Sequence, residues 1–257
     1  MESSVPAGTQ PRLWQFILYR LFSLSGLIPI GAYLCVHLIT NATVFAGPAM
    51  FQKNVNTIHS LGAFLPIVEW AFIFGPMIFH MLVGMLIISG AVVNVGSYPY
   101  GSNIRYTLQR ATGVIAFAFI LWHILHLHHY GHAVGLGYFK PDNAGSSAAA
   151  ALSPLTQKLI YIVGITAATF HFANGLWTFG ITWGIWTSRG GMRRAGYLCT
   201  AIGVGLFSFG MIALVGLERL DIPKAEAIEN RIKESNSALN GTDIEGEPGT
   251  GKTPGTK

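Results

Sequence analysis

The chain has 257 residues, of which 51% are hydrophobic and only 11% are charged, and its formal net charge is +5. A soluble domain usually carries about 25% charged residues, so this composition excludes an ordinary soluble domain and indicates a membrane protein. The arginines lie at the ends of apolar stretches and not in one patch, so the positive charge does not indicate nucleic-acid binding.

Five apolar stretches are each long enough for the roughly 20 residues that a membrane-spanning helix needs. In chain order they cover residues 14–42, 66–94, 107–130, 156–187 and 195–217. We therefore expect an all-α membrane protein with five transmembrane helices in a domain of residues 1–217. Residues 218–257 form a polar tail, in which Pro223 can start a short helix through Glu234 and the rest is expected to be disordered.

The distribution of basic residues predicts the orientation of the five helices. With the N-terminus in the cytoplasm, the cytoplasmic segments hold seven arginines, whereas the two outer loops hold only three lysines. These residues are Arg12, Arg20, Arg105, Arg110, Arg189, Arg193 and Arg194 against Lys53, Lys140 and Lys158. Because basic residues favour the cytoplasmic side, we expect a cytoplasmic N-terminus and, after five spans, a C-terminus outside.

Four of the apolar stretches each contain one deeply placed histidine: His37, His80, His123 and His171. An ionisable residue inside a membrane helix is costly and indicates a functional site. At about 1.5 Å per residue, the histidines occupy two levels roughly 10–14 Å apart, with His37 opposite His123 in the outer level and His80 opposite His171 in the deeper one. Two b-type haems need such facing pairs of imidazoles, so the four helices are expected to form a dihaem bundle.

Other roles remain open for any single one of these histidines, such as a bond to a neighbouring helix or a place in a proton relay. One zinc site is not expected, because two levels so far apart cannot supply one tetrahedral ligand set. Cys35 and Cys199 lie in separate stretches and cannot hold an iron–sulfur cluster, which needs four ligands. A transporter or channel is the alternative from another class of protein, and it would predict broken helices and inward-facing charge.

Four glycines lie on the helix faces that carry the histidines: Gly26, Gly84, Gly113 and Gly175. Two of them follow a histidine by one turn, and the other two precede one by eleven and ten residues, offsets that return to roughly the same face. We expect these small residues to let a flat haem approach the backbone. Ordinary close packing of helices is the alternative.

A second group of histidines crowds the outer end of the third stretch and the loop after it: His126, His128, His129 and His132. They are expected to form a partly solvated interfacial face, and a share in proton exchange with the outer phase is the alternative. His126 shares a helix face with His123, but depth favours His123 as the ligand.

The segments around the four histidines resemble a known family. Arg20 with SLSGLIPIGAYLCVHLITN, then PMIFHMLVG, LQRATGV followed by WHI, and FHFANGLWTFGITWGI look like the cytochrome b subunit of succinate dehydrogenases and fumarate reductases. Specifically, they resemble its five-helix, two-haem form from menaquinone-using bacteria. The resemblance covers about residues 19–186 and does not include the tail.

The resemblance implies a multi-pass protein of the bacterial cytoplasmic (inner) membrane with two partners on the cytoplasmic face. A flavoprotein subunit with FAD would handle succinate and fumarate, and an iron–sulfur subunit would exchange electrons with this chain. The chain would pass electrons between that subunit and menaquinone through a proximal haem on His80 and His171 and a distal haem on His37 and His123. A dihaem cytochrome b of a hydrogenase, formate dehydrogenase or nitrate reductase is the alternative, although those tend to place their ligands on fewer helices.

The expected partners of the haem propionates are Arg20, Ser23 and Arg110, which lie near the cytoplasmic side. Both arginines match family positions that carry arginine. Simple anchoring by the positive-inside rule is the alternative, and the two roles are compatible.

The expected quinone site depends on Glu69, the acidic residue just inside the outer end of the second helix, which matches a family glutamate. We expect Glu69, with His59, to serve quinone protonation, and an interfacial carboxylate in water is the alternative. Thr169 stands where some fumarate-reducing members carry a glutamate of a proton path. That difference favours succinate oxidation as the physiological direction.

Overall fold

The computed structural model describes residues 13–90 and 95–242, with the side chains of all but His129 and residues 239–242. Helices make up 86% of this part of the chain, and it contains no strand. Five helical spans within it are long and apolar enough to cross a membrane: Leu13–Ala46, Gly62–Ser89, Gly101–Leu127, Leu155–Thr182 and Arg189–Glu218. The predicted all-α membrane fold with five spans is confirmed, and the orientation of the termini stays a prediction.

The ends of the spans differ from the predicted stretches for local reasons. The third span begins at Gly101, before the predicted residue 107, because the helix also takes in Arg105. The fourth ends at Thr182, before the predicted residue 187, and Gly184 then turns the chain with a φ of +71°. The fifth begins at Arg189, where the Ser188 hydroxyl caps the helix by accepting from the Gly191 N–H at 3.0 Å. Residues 91–94 of the second stretch lie outside the described residues.

The α-helices in chain order are α1 (Leu13–Leu27), α2 (Pro29–Ala42), α3 (Pro48–His59), α4 (Leu65–Glu69), α5 (Gly75–Ser89), α6 (Gly101–Leu127), α7 (His129–His132), α8 (Ala144–Ala151), α9 (Leu155–Thr182), α10 (Arg189–Glu218) and α11 (Ile222–Thr242). The first span is interrupted between α1 and α2 because Pro29 has no N–H to donate and its ring crowds the preceding turn. The second span contains a π-helical turn at Trp70–Phe74, immediately after Glu69.

The fourth span is the centre of the bundle. In its most apolar 18-residue segment 39% of the residues are buried, against 11–22% in the corresponding segments of the other four spans. It packs against α6 on one side and α10 on the other, and α10 continues the packing to α2. Glycines permit the close contacts, since a Cβ at Gly164 would lie 2.1 Å from the Phe119 ring and one at Gly210 would lie 2.6 Å from Ile165.

A layer of short helices covers one end of the bundle, which we call the capped end. There α3 and α8 pack with the chain after α2 around Val44, Phe51, Val55 and Ala144, and α11 lies against both helices. We call the opposite end the arginine end, after Arg20, Arg105, Arg110, Arg189 and Arg193. If the predicted orientation is correct, the arginine end is cytoplasmic.

The helix α11 agrees with the short helix predicted from Pro223 through Glu234, and it corrects the expectation of disorder for residues 235–242. It continues past Glu234 to Thr242, and the side chain of Glu229 is completely buried. Its carboxylate accepts from the N–H groups of Gly145 and Ser146 at 2.8 and 3.2 Å and from the Ser146 hydroxyl at 2.5 Å. A carboxylate at the N-terminus of α8 satisfies free backbone donors and interacts favourably with the helix dipole. The domain boundary at residue 217 stays a prediction, and residues 243–257 lie outside the described part.

Candidate functional site

The structure places His80 on α5 opposite His171 on α9, in the pairing that their depth predicts. Their ring centroids are 6.3 Å apart and the ring planes are nearly perpendicular, at 87°. Two imidazoles bound to opposite sides of one metal ion through bonds of about 2 Å have centroids roughly 6 Å apart. The spacing of this pair, which we call the inner pair, therefore suits one ion held from both sides.

Hydrogen bonds fix the tautomer of both rings in the inner pair. Nδ1 of His80 lies 3.0 Å from the carbonyl oxygen of Phe22, and Nδ1 of His171 lies 3.0 Å from that of Gln109. Because a carbonyl oxygen only accepts, each Nδ1 carries the proton and donates it. Each Nε2 is then left with a lone pair, the form in which histidine binds a metal.

Two of the four predicted glycines contact the rings of the inner pair directly. A Cβ at Gly26 would lie 2.5 Å from Cε1 of His80, and one at Gly113 would lie 2.9 Å from Cε1 of His171. Each glycine thus makes room for an imidazole from a neighbouring helix. A Cβ at Gly84 would be 3.5 Å from the Phe22 ring, and one at Gly175 would be 3.5 Å from the Gln109 amide. Room for a haem at these glycines stays a prediction.

The second pair, which we call the outer pair, joins His37 on α2 to His123 on α6. The ring centroids are 5.6 Å apart, and the planes meet at 82°. Each ring has a tyrosine hydroxyl beside its Nδ1, from Tyr33 at 3.4 Å for His37 and from Tyr161 at 3.2 Å for His123. Tyr161 is buried and was not predicted, because one tyrosine in an apolar stretch carries no distinguishing signal.

The distance between the two pairs follows from the glycines. Gly26 marks the level of His80 on the first span, eleven residues before His37, and Gly113 marks the level of His171 on the third span, ten residues before His123. At 1.5 Å per residue these offsets place the pairs about 15 Å apart along the bundle. This separation is slightly larger than the one expected from the sequence.

The four histidines of the inner and outer pairs contact each other in pairs and do not form a larger cluster. In the described part of the chain, no group of three or more histidine, cysteine or acidic residues is placed to hold a metal ion. A bare zinc ion needs three or four protein ligands, whereas a porphyrin supplies four nitrogens and leaves two axial positions. The donor sets therefore fit haem iron and do not fit a structural zinc site.

A series of hydrogen-bonded polar side chains, not predicted from the sequence, leads from His171 to the arginine end. The Gln109 amide donates to the His171 carbonyl at 3.2 Å, and the Asn174 amide donates to Oε1 of Gln109 at 2.8 Å. Nε of Arg105 donates to Oδ1 of Asn174 at 2.8 Å, and its guanidinium lies over the Trp177 ring at 3.8 Å. The position of Gln109 and Asn174 inside apolar spans was the feature of the sequence that could have indicated this network.

The three residues predicted to bind propionates all lie toward the arginine end. Arg20 donates to the carbonyl of Thr182 at 2.5 Å and lies over the Trp183 ring, whose Nε1 donates to the Ser23 hydroxyl at 2.9 Å. Arg110 lies over the Tyr106 ring, and its Nε is buried with no hydrogen-bond partner among the described residues. That donor is suited to a carboxylate from a bound group.

Glu69 lies toward the capped end, but its neighbour differs from the one predicted. Its Oε1 is 3.4 Å from Nε2 of His128, and its side chain is 14% exposed. Its Oε2 is buried and has no hydrogen-bond partner in the described part of the chain. His59 is exposed at the end of α3. The structure thus brings His128, and not His59, to this carboxylate.

The π-helical turn after Glu69 helps to position this pair. Trp70 begins the turn, and its Nε1 donates to the Tyr130 hydroxyl at 3.0 Å. The Phe74 ring at its end contacts the His128 ring edge-on, with 5.6 Å between centroids. Single π-helical turns occur frequently at functional sites, because they reorient the residues around them.

The second histidine group does not form one solvated face. His126 is buried, at 3% exposure, and its Nδ1 lies 3.3 Å from the Tyr161 hydroxyl. His132 is exposed, and its Nε2 lies 2.8 Å from the Phe139 carbonyl. The expectation of partial solvation is therefore wrong for His126, and the side chain of His129 lies outside the described residues.

Comparison with known proteins identifies the family. No family model matches the chain. Over 200 residues, which are 78% of this chain and 96% of the relative, it is 34% identical to a protein of Bacillus subtilis (strain 168) named succinate dehydrogenase cytochrome b558 subunit. Together with the five spans, this similarity shows that the chain belongs to the family of succinate dehydrogenase cytochrome b subunits.

Proposed function

We propose that the chain is the membrane anchor of a succinate:menaquinone oxidoreductase and passes electrons between an iron–sulfur subunit and menaquinone. The two facing histidine pairs, about 15 Å apart along one bundle, carry this proposal. A flavoprotein subunit with FAD would oxidise succinate, and both partners would dock at the arginine end, on the cytoplasmic side of a bacterial membrane. The name of the Bacillus subtilis relative supports this assignment over a hydrogenase, formate dehydrogenase or nitrate reductase cytochrome.

His80 and His171 would hold one haem b through Nε2, and His37 and His123 would hold a second one. When bound, the haem supplies an iron that accepts and releases one electron at a time. The donor chemistry fits, because both Nδ1 atoms of the inner pair donate to backbone carbonyls and leave Nε2 as the metal-binding atom.

The protein tunes the inner pair through the groups that hold its rings. A hydrogen bond from Nδ1–H to a carbonyl oxygen makes the imidazole a stronger ligand base, which favours the more positively charged state of a bound metal. Phe22 contributes both that carbonyl and a ring stacked on His80 with 4.3 Å between centroids. The fixed charge of Arg105, connected to the His171 backbone through Asn174 and Gln109, favours the reduced state.

Arg110, Arg20 and Ser23 would anchor carboxylates at the arginine end. The buried Nε of Arg110 supports this role for that arginine, because a buried donor with no partner is costly. A propionate beside it would form a charge-assisted hydrogen bond.

We place quinone protonation at Glu69 and His128, close to the capped end. Reduction of menaquinone to menaquinol consumes two electrons and two protons, so a site near the outer pair needs a proton donor. One oxygen of the Glu69 carboxylate lies near His128, and the other is buried with no hydrogen-bond partner among the described residues. When Glu69 is protonated, its carboxyl group would donate a hydrogen bond to a quinone oxygen and then transfer the proton to it. His128 would then pass a new proton from the outer phase to Glu69.

The variant Glu69→Gln tests this role, because glutamine keeps the shape of the side chain but does not transfer the proton. We expect menaquinone turnover to fall by about 100-fold, a typical loss for a general acid–base group, with haem content unchanged. Succinate oxidation by an artificial acceptor that takes electrons from the partner subunits should keep its wild-type rate. The matched control is His59→Ala, which should leave turnover unaltered. Wild-type turnover in Glu69→Gln would remove this residue from the site.

The proposed function as a whole is tested by purifying the chain from its native membrane. We expect a flavoprotein and an iron–sulfur subunit to copurify with it, and succinate to reduce b-type absorption bands in the purified complex. Copurification of a hydrogenase or a molybdenum-containing subunit, with no response to succinate, would contradict the proposal.

A further inference from the structure

A groove opens at the arginine end between three membrane-spanning helices. Its volume is about 310 Å³. The third span contributes one wall, the fourth span contributes an aromatic ring, and the first turns of the fifth span contribute the rest. Its lining includes Arg105, Trp177, Arg193, Gly196, Tyr197 and Thr200.

Two guanidinium groups face this groove without an acidic partner in the described part of the chain. Arg105 uses Nε for Asn174 and stacks on Trp177, and Arg193 uses Nε for the Tyr197 hydroxyl at 3.1 Å. None of the ion pairs among the described residues involves either arginine. The terminal nitrogens of both side chains therefore remain as donors, and the repulsion between the two cations would be relieved by a bound anion.

We propose that this groove binds the phosphate group of an anionic phospholipid, one lipid for each chain. Guanidinium groups bind phosphate oxygens in pairs, and tryptophan and tyrosine favour the depth of the lipid headgroups. Basic pockets between transmembrane helices suit such headgroups. The inference does not depend on haem or quinone.

The surface beyond the groove favours a lipid over a soluble partner. Tyr197, Thr200 and Val204 follow one another along one face of α10, at the spacing of successive helical turns. Tyr197 and Val204 are 64% and 59% exposed, so this face offers an open apolar track next to the two cations. An acyl chain covers such a track, whereas an acidic surface of a soluble protein would meet a polar rim.

The test uses the purified complex, stripped of lipid in detergent and studied by native mass spectrometry. The probes are dioleoyl phosphatidylglycerol and dioleoyl phosphatidylcholine, added separately. We expect one phosphatidylglycerol to be retained per chain in preference to phosphatidylcholine. Arg193→Gln should weaken this retention about tenfold, the size of a lost charge-assisted hydrogen bond. Arg193→Lys should restore part of it, because lysine keeps the charge but not the paired donors.

The matched control is Arg194→Gln, which removes the same charge from the neighbouring exposed position outside the groove lining. It should retain phosphatidylglycerol as the wild type does. An equal loss in both variants, or equal retention of the two lipids, would overturn the proposal. Displacement of the lipid by inorganic phosphate would assign the groove to free phosphate and overturn the lipid assignment. Release of a partner subunit by Arg193→Gln with lipid retention unchanged would instead identify a protein contact and contradict it.

Discussion

Replacing His171 with alanine is expected to remove one of the two b-type haems and to leave the other in place. The inner pair has no second donor near Nε2 of His80, since no larger cluster of metal-binding side chains exists among the described residues. The outer pair shares no ligand with it and lies about 15 Å away, so it should keep its haem. The b-type absorption of the purified complex should fall to about half of the wild-type value, because each histidine pair would hold one haem iron.

The reciprocal variant His37→Ala should remove the haem of the outer pair and keep the inner one. Comparing the two residual spectra assigns each absorption band to its pair. The control is His132→Ala, which changes an exposed histidine bonded to the Phe139 carbonyl. An unchanged haem content in His171→Ala would refute the assignment of the inner pair.

Gly26→Ala is expected to damage the inner haem site although it changes no ligand. The added methyl group would lie 2.5 Å from Cε1 and 2.9 Å from Nδ1 of His80, closer than carbon atoms in proteins approach. The ring has little freedom to move, because Nδ1 is bonded to the Phe22 carbonyl and the ring stacks on Phe22. We therefore expect loss of the inner haem or a shifted midpoint potential and absorption band, with the outer haem unchanged.

Gly205→Ala is the matched control for this variant. Gly205 also lies within a membrane-spanning helix, but a Cβ there would meet no atom within 4 Å. It should therefore leave both haems as in the wild type. A wild-type spectrum and redox titration for Gly26→Ala would show that the space at this glycine is not needed.

The spans and the histidine pairs could be predicted because both depend on position along single helices. Hydropathy identifies a span, and the fixed rise per residue converts the position of His123 or His171 into a depth. The role of Gly26 could not be predicted in this way. Its periodicity relates it to His37 on the same span, whereas the ring that fills its space belongs to His80 on another helix.

The partners of Glu69 and Glu229 were not predictable from the sequence, because both depend on how connecting segments fold back. His59 and His128 both belong to segments that the sequence assigns to the same side of the membrane as Glu69, and only the tertiary structure shows that His128 contacts Glu69. A short helix from Pro223 could be predicted, but composition does not show that Glu229 on this helix meets the unpaired donors of α8. In each case a specific contact decided the outcome.

The most direct test is a count of haem b per chain in the purified complex, combined with a redox titration of the b-type bands. We expect two haems per chain, titrating as two components that succinate reduces. One haem per chain, or none, would contradict the assignment of two bis-histidine sites.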